Sequence, residues 1–257
     1  MSTPTLVVHR DADVLARAVA ARLVTRLVDV QSARRTASLV LTGGGIGIAC
    51  LTELCGSPAR DAVDWSQVEF WWGDERFLPS GDAERNETQA RAALLDHVDV
   101  DPALVHPMPS SDAAADPETA AEQYAEQLRR AARPEDHGPV PQFDVLMLGM
   151  GPDGHTASLF PESPSVYDDR PVVGVRGAPK PPPLRVSLSL ASINAAREVW
   201  FIVAGADKAA PAALALGGAG PLQVPAAGPR GRQRTLWLLD RPAASRLPGD
   251  LATLASA

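Results

Sequence analysis

The sequence predicts an α/β protein: an open, doubly wound, mostly parallel sheet with helices on both faces. Three observations predict it. Short runs of continuous apolar residues alternate with stretches of helical periodicity, as parallel strands buried on both faces require. Several of those runs stop at a glycine followed by polar residues, and in such sheets ligands bind beyond the carboxyl ends of the strands. The length of 257 residues is ordinary for one α/β domain.

The elements follow in order. Leu6-Val7-Val8 is a brief strand. Asp11 can cap the next helix, whose apolar face carries Val14, Ala18, Ala21 and Leu23. Leu39-Val40-Leu41 is a strand that ends in a glycine run, and Val68-Glu69-Phe70-Trp71-Trp72 is another, stopped by Gly73. Residues 86–95 and 117–132 read as helices, with Pro117 suited to a first turn. Strands over 143–148 and 199–203 run into Gly149 and Gly205, and 236–239 is the last strand. Residues 133–142, with three prolines and a glycine, and 176–183, with four prolines, read as surface loops. Neither separates two segments that could each fold alone, so residues 1–257 are expected to form a single domain, with a few irregular strands on one edge.

Composition excludes several classes. Hydrophobic residues make up 45% and charged residues 21%, a globular balance rather than a disordered one. The net charge of −7 disfavours nucleic acid as a partner. An anionic ligand would therefore need a local cluster of cations or N–H groups. Two cysteines, Cys50 and Cys55, build neither a disulfide scaffold nor a four-ligand zinc site and read as small buried thiols. Residues 1–10 lack a basic leader and no run approaches the roughly 20 apolar residues of a membrane span. A cytoplasmic protein without membrane contact is expected.

Four segments could carry chemistry. Thr42-Gly43-Gly44-Gly45-Ile46-Gly47 follows a strand and opens a helix. It is a tight turn or an anion site, where glycine N–H groups and the helix dipole face a phosphate. No Gly-Lys-Ser/Thr follows, so it is not a Walker loop. Gly73-Asp74-Glu75-Arg76 at a strand's end looks too polar for a sheet interior. It is a surface salt-bridge cluster, or it supplies a carboxylate for a water and a guanidinium for a charged oxygen. Arg185 and Lys208 are ordinary surface cations taken singly. With the glycine loop they could form a phosphate grip.

Gly149-Met150-Gly151-Pro152-Asp153-Gly154-His155-Thr156 is the densest segment. It matches a dinucleotide G-x-G-x-x-G formally. It lies past mid-chain, Pro161 cuts the following helical stretch short, and no strand ending in an acid lies about 20 residues on. The other reading is a loop presenting Asp153 and His155, with histidine suited to taking a proton from water near neutral pH. Asp153-x-His155 offers at most two metal ligands, so no metal is indicated. No G-x-S-x-G and no H-E-x-x-H is present, which favours attack by an activated water over a covalent serine or zinc route.

These residues resemble a known family. The block from Gly149 to Pro161, Gly-Met-Gly-Pro-Asp-Gly-His-Thr-Ala-Ser-Leu-Phe-Pro, is similar to the signature of the 6-phosphogluconolactonases. Trp72-Gly73-Asp74-Glu75-Arg76 with Asn86 downstream resembles their second motif. Residues 185–194 and 205–208 resemble two further blocks in matching order. The similarity runs from about Leu6 to the last strand. It implies a fold shared with glucosamine-6-phosphate deaminases and ribose-5-phosphate isomerases. It implies hydrolysis of 6-phosphoglucono-1,5-lactone in the oxidative pentose phosphate pathway, without cofactor or metal. The expected partner is then a small phosphorylated sugar lactone, and the expected assembly a monomer or small homo-oligomer.

On that basis Thr42, Gly43, Gly44, Gly45, Asn86, Arg185 and Lys208 are expected to bind substrate, chiefly its phosphate. His155 is expected to be the base, Asp153 or Asp74 to orient it or the water, and Arg76 to stabilise the oxyanion. Many lactonases carry a Ser-Gly-Gly-Ser-Thr-Pro-like loop, so two hydroxyl donors are missing at Thr42–Gly47. Deaminases place an acid five residues after the histidine, where this chain has Phe160. An isomerase or deaminase on the same fold and a non-catalytic sugar-phosphate sensor are the alternatives. A sensor would need the grip but not the base. A nicotinamide enzyme is more distant.

Overall fold

A computed structural model describes residues 3–249. Met1, Ser2 and residues 250–257 of the expected domain lie outside the described residues. The chain opens with β1 (Thr5–His9) and α1 (Ala12–Arg34), then β2 (Ala37–Leu41) and α2 (Gly45–Gly56). β3 (Val68–Trp72), β4 (Asp74–Arg76), α3 (Asn86–Ala93) and α4 (Pro117–Ala131) follow. The second half holds β5 (Val145–Leu148), β6 (Val172–Val175), β7 (Arg185–Leu188) and α5 (Leu190–Ile193). It ends with β8 (Glu198–Val203), α6 (Ala209–Leu216), β9 (Arg234–Asp240) and α7 (Arg241–Ala244).

Six strands form one sheet in the order β1-β9-β8-β5-β2-β3, and every neighbouring pair is parallel. β5 and β8 are buried at every position and β9 at all but its first. A strand buried on both pleat faces must be covered from both sides, which explains the unbroken apolar runs. The expected α/β sheet is therefore present. α1 buries Leu15, Val19, Leu23 and Leu27 at four-residue spacing, and Asp11 accepts from Val14 N at 2.8 Å as its N-cap. α4 likewise starts with Pro117 behind the Asp116 cap.

The strand order reverses between β2 and β5: from β2 the chain moves outward to β3, then returns past β2 to β5, β8 and β9. A crevice opens at such a reversal because the connections leave in opposite directions. The loops after β2 and β5 flank it, and Gly149 N donates to Thr42 Oγ1 at 3.2 Å between them.

Several expectations need correction. Of the expected α1 face of Val14, Ala18, Ala21 and Leu23 only Leu23 is buried, because the core face runs through Leu15, Val19, Leu23 and Leu27. Asp74-Glu75-Arg76 is not a loop at a strand's end but strand β4 itself. It pairs antiparallel with β7, and β7 with β6, in a separate three-stranded sheet rather than at an edge of the large one. The polar residues are tolerated because their side chains find internal partners, described below. No helix follows Thr156; a turn closed by the Thr156–Leu159 bridge does. Cys55 is half-buried rather than buried, with the Arg60 guanidinium 3.3 Å from its sulfur.

Candidate active site

A cavity of about 730 Å³ opens at the reversal point. Thr42, Gly43, Gly44, Gly45, Asp74, Arg76, Asn86, His155, Arg185 and Lys208 all line it. Ten of the eleven expected site residues thus converge. Asp153 stands behind them as the partner of His155.

The glycine loop opens α2 at the cavity. Gly44 adopts φ +81° and is the N-cap of α2, without a side-chain cap. Ile48 N bonds back to Gly44 O, so the N–H groups ahead of it have no intrahelical acceptor and remain for a ligand. A Cβ on Gly44 or Gly45 would meet nothing within 4 Å, which keeps the backbone open to the cavity. Gly43 has another reason: its Cβ would lie 1.9 Å from Asn86 Oδ1.

β4 and β7 supply the guanidinium groups. Their register places Arg76 opposite Arg185. Arg185 is fixed by proline-rich loop carbonyls, with Nε to Pro182 O at 2.7 Å and Nη2 to Lys180 O at 3.0 Å and Pro181 O at 3.1 Å. Burial pushes its guanidinium below the ordinary range, a direction the Asp74 charge opposes and Arg76 reinforces. Arg76 is anchored by donation to Glu84 O. Lys208 ends the turn after β8, its Nζ 2.5 Å from Asp207 Oδ2.

The carboxylates divide their work. Asp74 Oδ2 accepts from Ser158 Oγ at 2.6 Å, and its backbone oxygen accepts from Asn86 Nδ2 at 2.8 Å. Its charge therefore sits beside the cavity with a fixed orientation. Glu75 is fully buried, and burial pushes its carboxyl up to about 7 against the pull of Arg85 and three amide donors.

The loop after β5 carries Asp153 and His155. Asp153 Oδ1 accepts from His155 N at 3.2 Å and lies 2.5 Å from His155 Nδ1. Burial pushes the Asp153 carboxyl up, but the His155 hydrogen bond and charge outweigh it and hold it below the usual range. An ionised carboxylate can only accept, so Nδ1 carries the hydrogen and Nε2 keeps its lone pair in the neutral ring. The ring packs on Phe160 at 4.7 Å between centroids. Gly154 holds the loop's turn at φ +85°.

Sequence reasoning missed three participants. Lys180 lines the cavity from the proline-rich loop, where the lysine among prolines was the available signal. Ser158 holds Asp74, and Glu75 anchors the base of the site. Neither role is visible without the fold. Among the described residues no group of three or more His, Cys, Asp or Glu is placed to hold a metal ion, and no helix is long and apolar enough to cross a membrane.

Residues 10–237 match the family described as glucosamine-6-phosphate isomerases/6-phosphogluconolactonase. The chain is 60% identical over 258 residues to a 6-phosphogluconolactonase of Streptomyces coelicolor, covering 99% of each chain. It is 51% identical over 241 residues to one of Mycobacterium tuberculosis, covering 93% of this chain and 96% of the relative. The solved 6-phosphogluconolactonase of Trypanosoma brucei superposes with a TM-score of 0.80 at 29% identity, over 95% of this chain and 99% of that one. A glucosamine-6-phosphate deaminase superposes with a TM-score of 0.77 at 17% identity, over 94% of this chain and 99% of that one, a likeness of fold alone. The chain belongs to the glucosamine-6-phosphate isomerase/6-phosphogluconolactonase family.

Proposed function

We propose that the chain hydrolyses 6-phosphoglucono-1,5-lactone to 6-phosphogluconate, the second step of the oxidative pentose phosphate pathway, by water activated at His155. One observation carries the residue assignment. The Asp153–His155 pair opens onto the same cavity as a helix N-terminus and the cations Arg76, Lys180, Arg185 and Lys208. A phosphorylated, uncharged-ring substrate needs both ends.

The phosphate binds at the N–H groups of Gly44 and Gly45, with Thr42, Arg185 and Lys208. Backbone donors and lysine charge stand in for the hydroxyls this loop lacks. Asn86 holds the sugar beside Asp74. His155 Nε2 takes a proton from water as the water oxygen bonds to the lactone carbonyl carbon. The carbonyl oxygen becomes an oxyanion that Arg76 and loop N–H groups stabilise. Collapse breaks the ring C–O bond, and the imidazolium returns its proton to the departing ring oxygen. Asp153 keeps the ring in the required tautomer throughout. The base contributes about 10²–10⁴-fold and one oxyanion donor roughly 10²–10³-fold.

Phe160 occupies the position where a deaminase would place an acid, and it packs on His155 instead of exchanging protons. The deaminase alternative predicts ammonia release from glucosamine 6-phosphate. A sensor would bind sugar phosphates without turnover. The reading places the reaction in the cytoplasm, with residues 1–257 acting as one domain in a monomer or small homo-oligomer.

The phosphate grip has its own test. Lys208→Ala removes one charge-assisted hydrogen bond, worth about 1.5–3 kcal/mol, so KM for the phosphorylated lactone should rise by about 10–100-fold. Because the phosphate is bound alike in the ground and transition states, kcat should stay within about threefold. Steady-state kinetics separates the two. A change confined to kcat would remove Lys208 from the grip.

A further inference from the structure

We propose that Glu75 is a positioning residue for this reaction, acting through Asn86 by capping helix α3 from strand β4. The inference rests on the site reading above, since it concerns the placement of Asn86 in that site.

The starting point is a helix without a cap of its own. Arg85 is the N-cap of α3 and makes no side-chain cap bond. The amides of the first helical turn then need acceptors from elsewhere. Glu75 supplies them: Asn86 N donates to Oε1 at 2.7 Å and Glu87 N to Oε2 at 2.9 Å. Arg76 N donates to the same Oε1 at 2.8 Å, closing the carboxyl against its own strand. A negative group at a helix N-terminus also meets the positive end of the dipole.

The clamp is buried and braced. Glu75 is 0% and Arg85 2% exposed. Arg85 Nη2 lies 3.7 Å from Glu75 Oε2 and also donates to Met108 O at 2.7 Å, while Nη1 donates to Leu78 O at 3.2 Å. A carboxyl this enclosed and braced gives the two amides one position.

What that position serves is Asn86. Its side chain is 2% exposed, lines the cavity and donates to Asp74 O at 2.8 Å. It also abuts Gly43 so closely that no Cβ fits there. Its Oδ1 is buried beside Gly43 without a hydrogen-bond partner among the described residues. Asn86 thus touches the anion loop, the Asp74 strand and the cavity at once, and its backbone is placed by Glu75. A misplacement of about 1 Å at such a residue can cost about 10²-fold in rate.

The test is a double-mutant cycle between Glu75→Gln and Asn86→Ala. Glutamine keeps the shape but turns an NH₂ toward a backbone N–H. Each single variant should lose about 10–100-fold in kcat/KM, and the double variant no more than the worse single, because Glu75 acts through Asn86. Losses that multiply, or a Glu75→Gln protein that loses thermal stability while keeping kcat/KM, would overturn the proposal. Should Glu75→Gln fail to fold, Arg85→Lys loosens the same clamp. It should show a smaller loss, about 3–10-fold, that Asn86→Ala likewise absorbs; a loss that Asn86→Ala does not absorb overturns it. The cycle is also read in the dissociation constant for 6-phosphogluconate by calorimetry. A wild-type protein that binds the acid but does not hydrolyse lactone would sink the assigned reaction, while the binding cycle would still decide the role of Glu75.

Discussion

His155→Ala is expected to lower kcat on 6-phosphogluconolactone by about 10²–10⁴-fold, the usual contribution of a positioned general base. One oxygen of Asp74 is engaged by Ser158, and guanidinium and ammonium groups are donors without a lone pair. Asp153 remains, but it sits behind the ring with its oxygen directed at Nδ1. Binding should survive, because the proposed phosphate contacts lie at the start of α2, on β7 and in the turn after β8. The dissociation constant for 6-phosphogluconate should therefore change by less than about threefold while kcat collapses. A variant that keeps near-wild-type kcat would show that the base is elsewhere.

Gly151→Ala is expected to lower kcat by about 10²-fold or more, although residue 151 carries no chemistry. An added Cβ would lie 2.1 Å from both Cε1 and Nδ1 of His155 and 2.5 Å from Asp153 Oδ1. The groups that must yield are the ends of two side chains, so the backbone can stay, including the Gly151 N bond to His155 O at 2.9 Å. The cost then falls on the orientation of the dyad rather than on folding. Displacement of a catalytic group by about 1 Å is worth about 10²-fold. The melting temperature should drop by only a few degrees, on the order of 2–4 °C per kcal/mol at this size. An active Gly151→Ala protein would mean that the Asp153–His155 contact is not needed for turnover.

The large sheet was legible because its strands are buried on both faces and so carry continuous apolar runs. β3 ends where its sequence pattern ends, and β2, β5, β8 and β9 differ by one or two residues at their ends. The small sheet was not legible. β4 is three residues long and polar, and it is held by partners over 100 positions away in β7. β6 is a four-residue strand whose Gly174 packs against the backbone of Pro117 and Glu118, where a Cβ would come within 2.7 Å. That contact is tertiary and leaves no local pattern. At the site, glycines and isolated charges at strand ends stood out against apolar surroundings. Glu75 stood among them, but its role depends on an α3 terminus that only the fold brings within reach. Lys180 was absorbed into a proline-rich stretch that looked like an ordinary surface loop.

The chain is expected to open a phosphorylated sugar lactone with water. The most direct measurement generates 6-phosphogluconolactone in situ and follows its disappearance with and without the purified protein, in EDTA. Acceleration well above the spontaneous hydrolysis, undiminished by the chelator, is expected. Disappearance at the spontaneous rate, by a protein that still binds sugar phosphates, would contradict it.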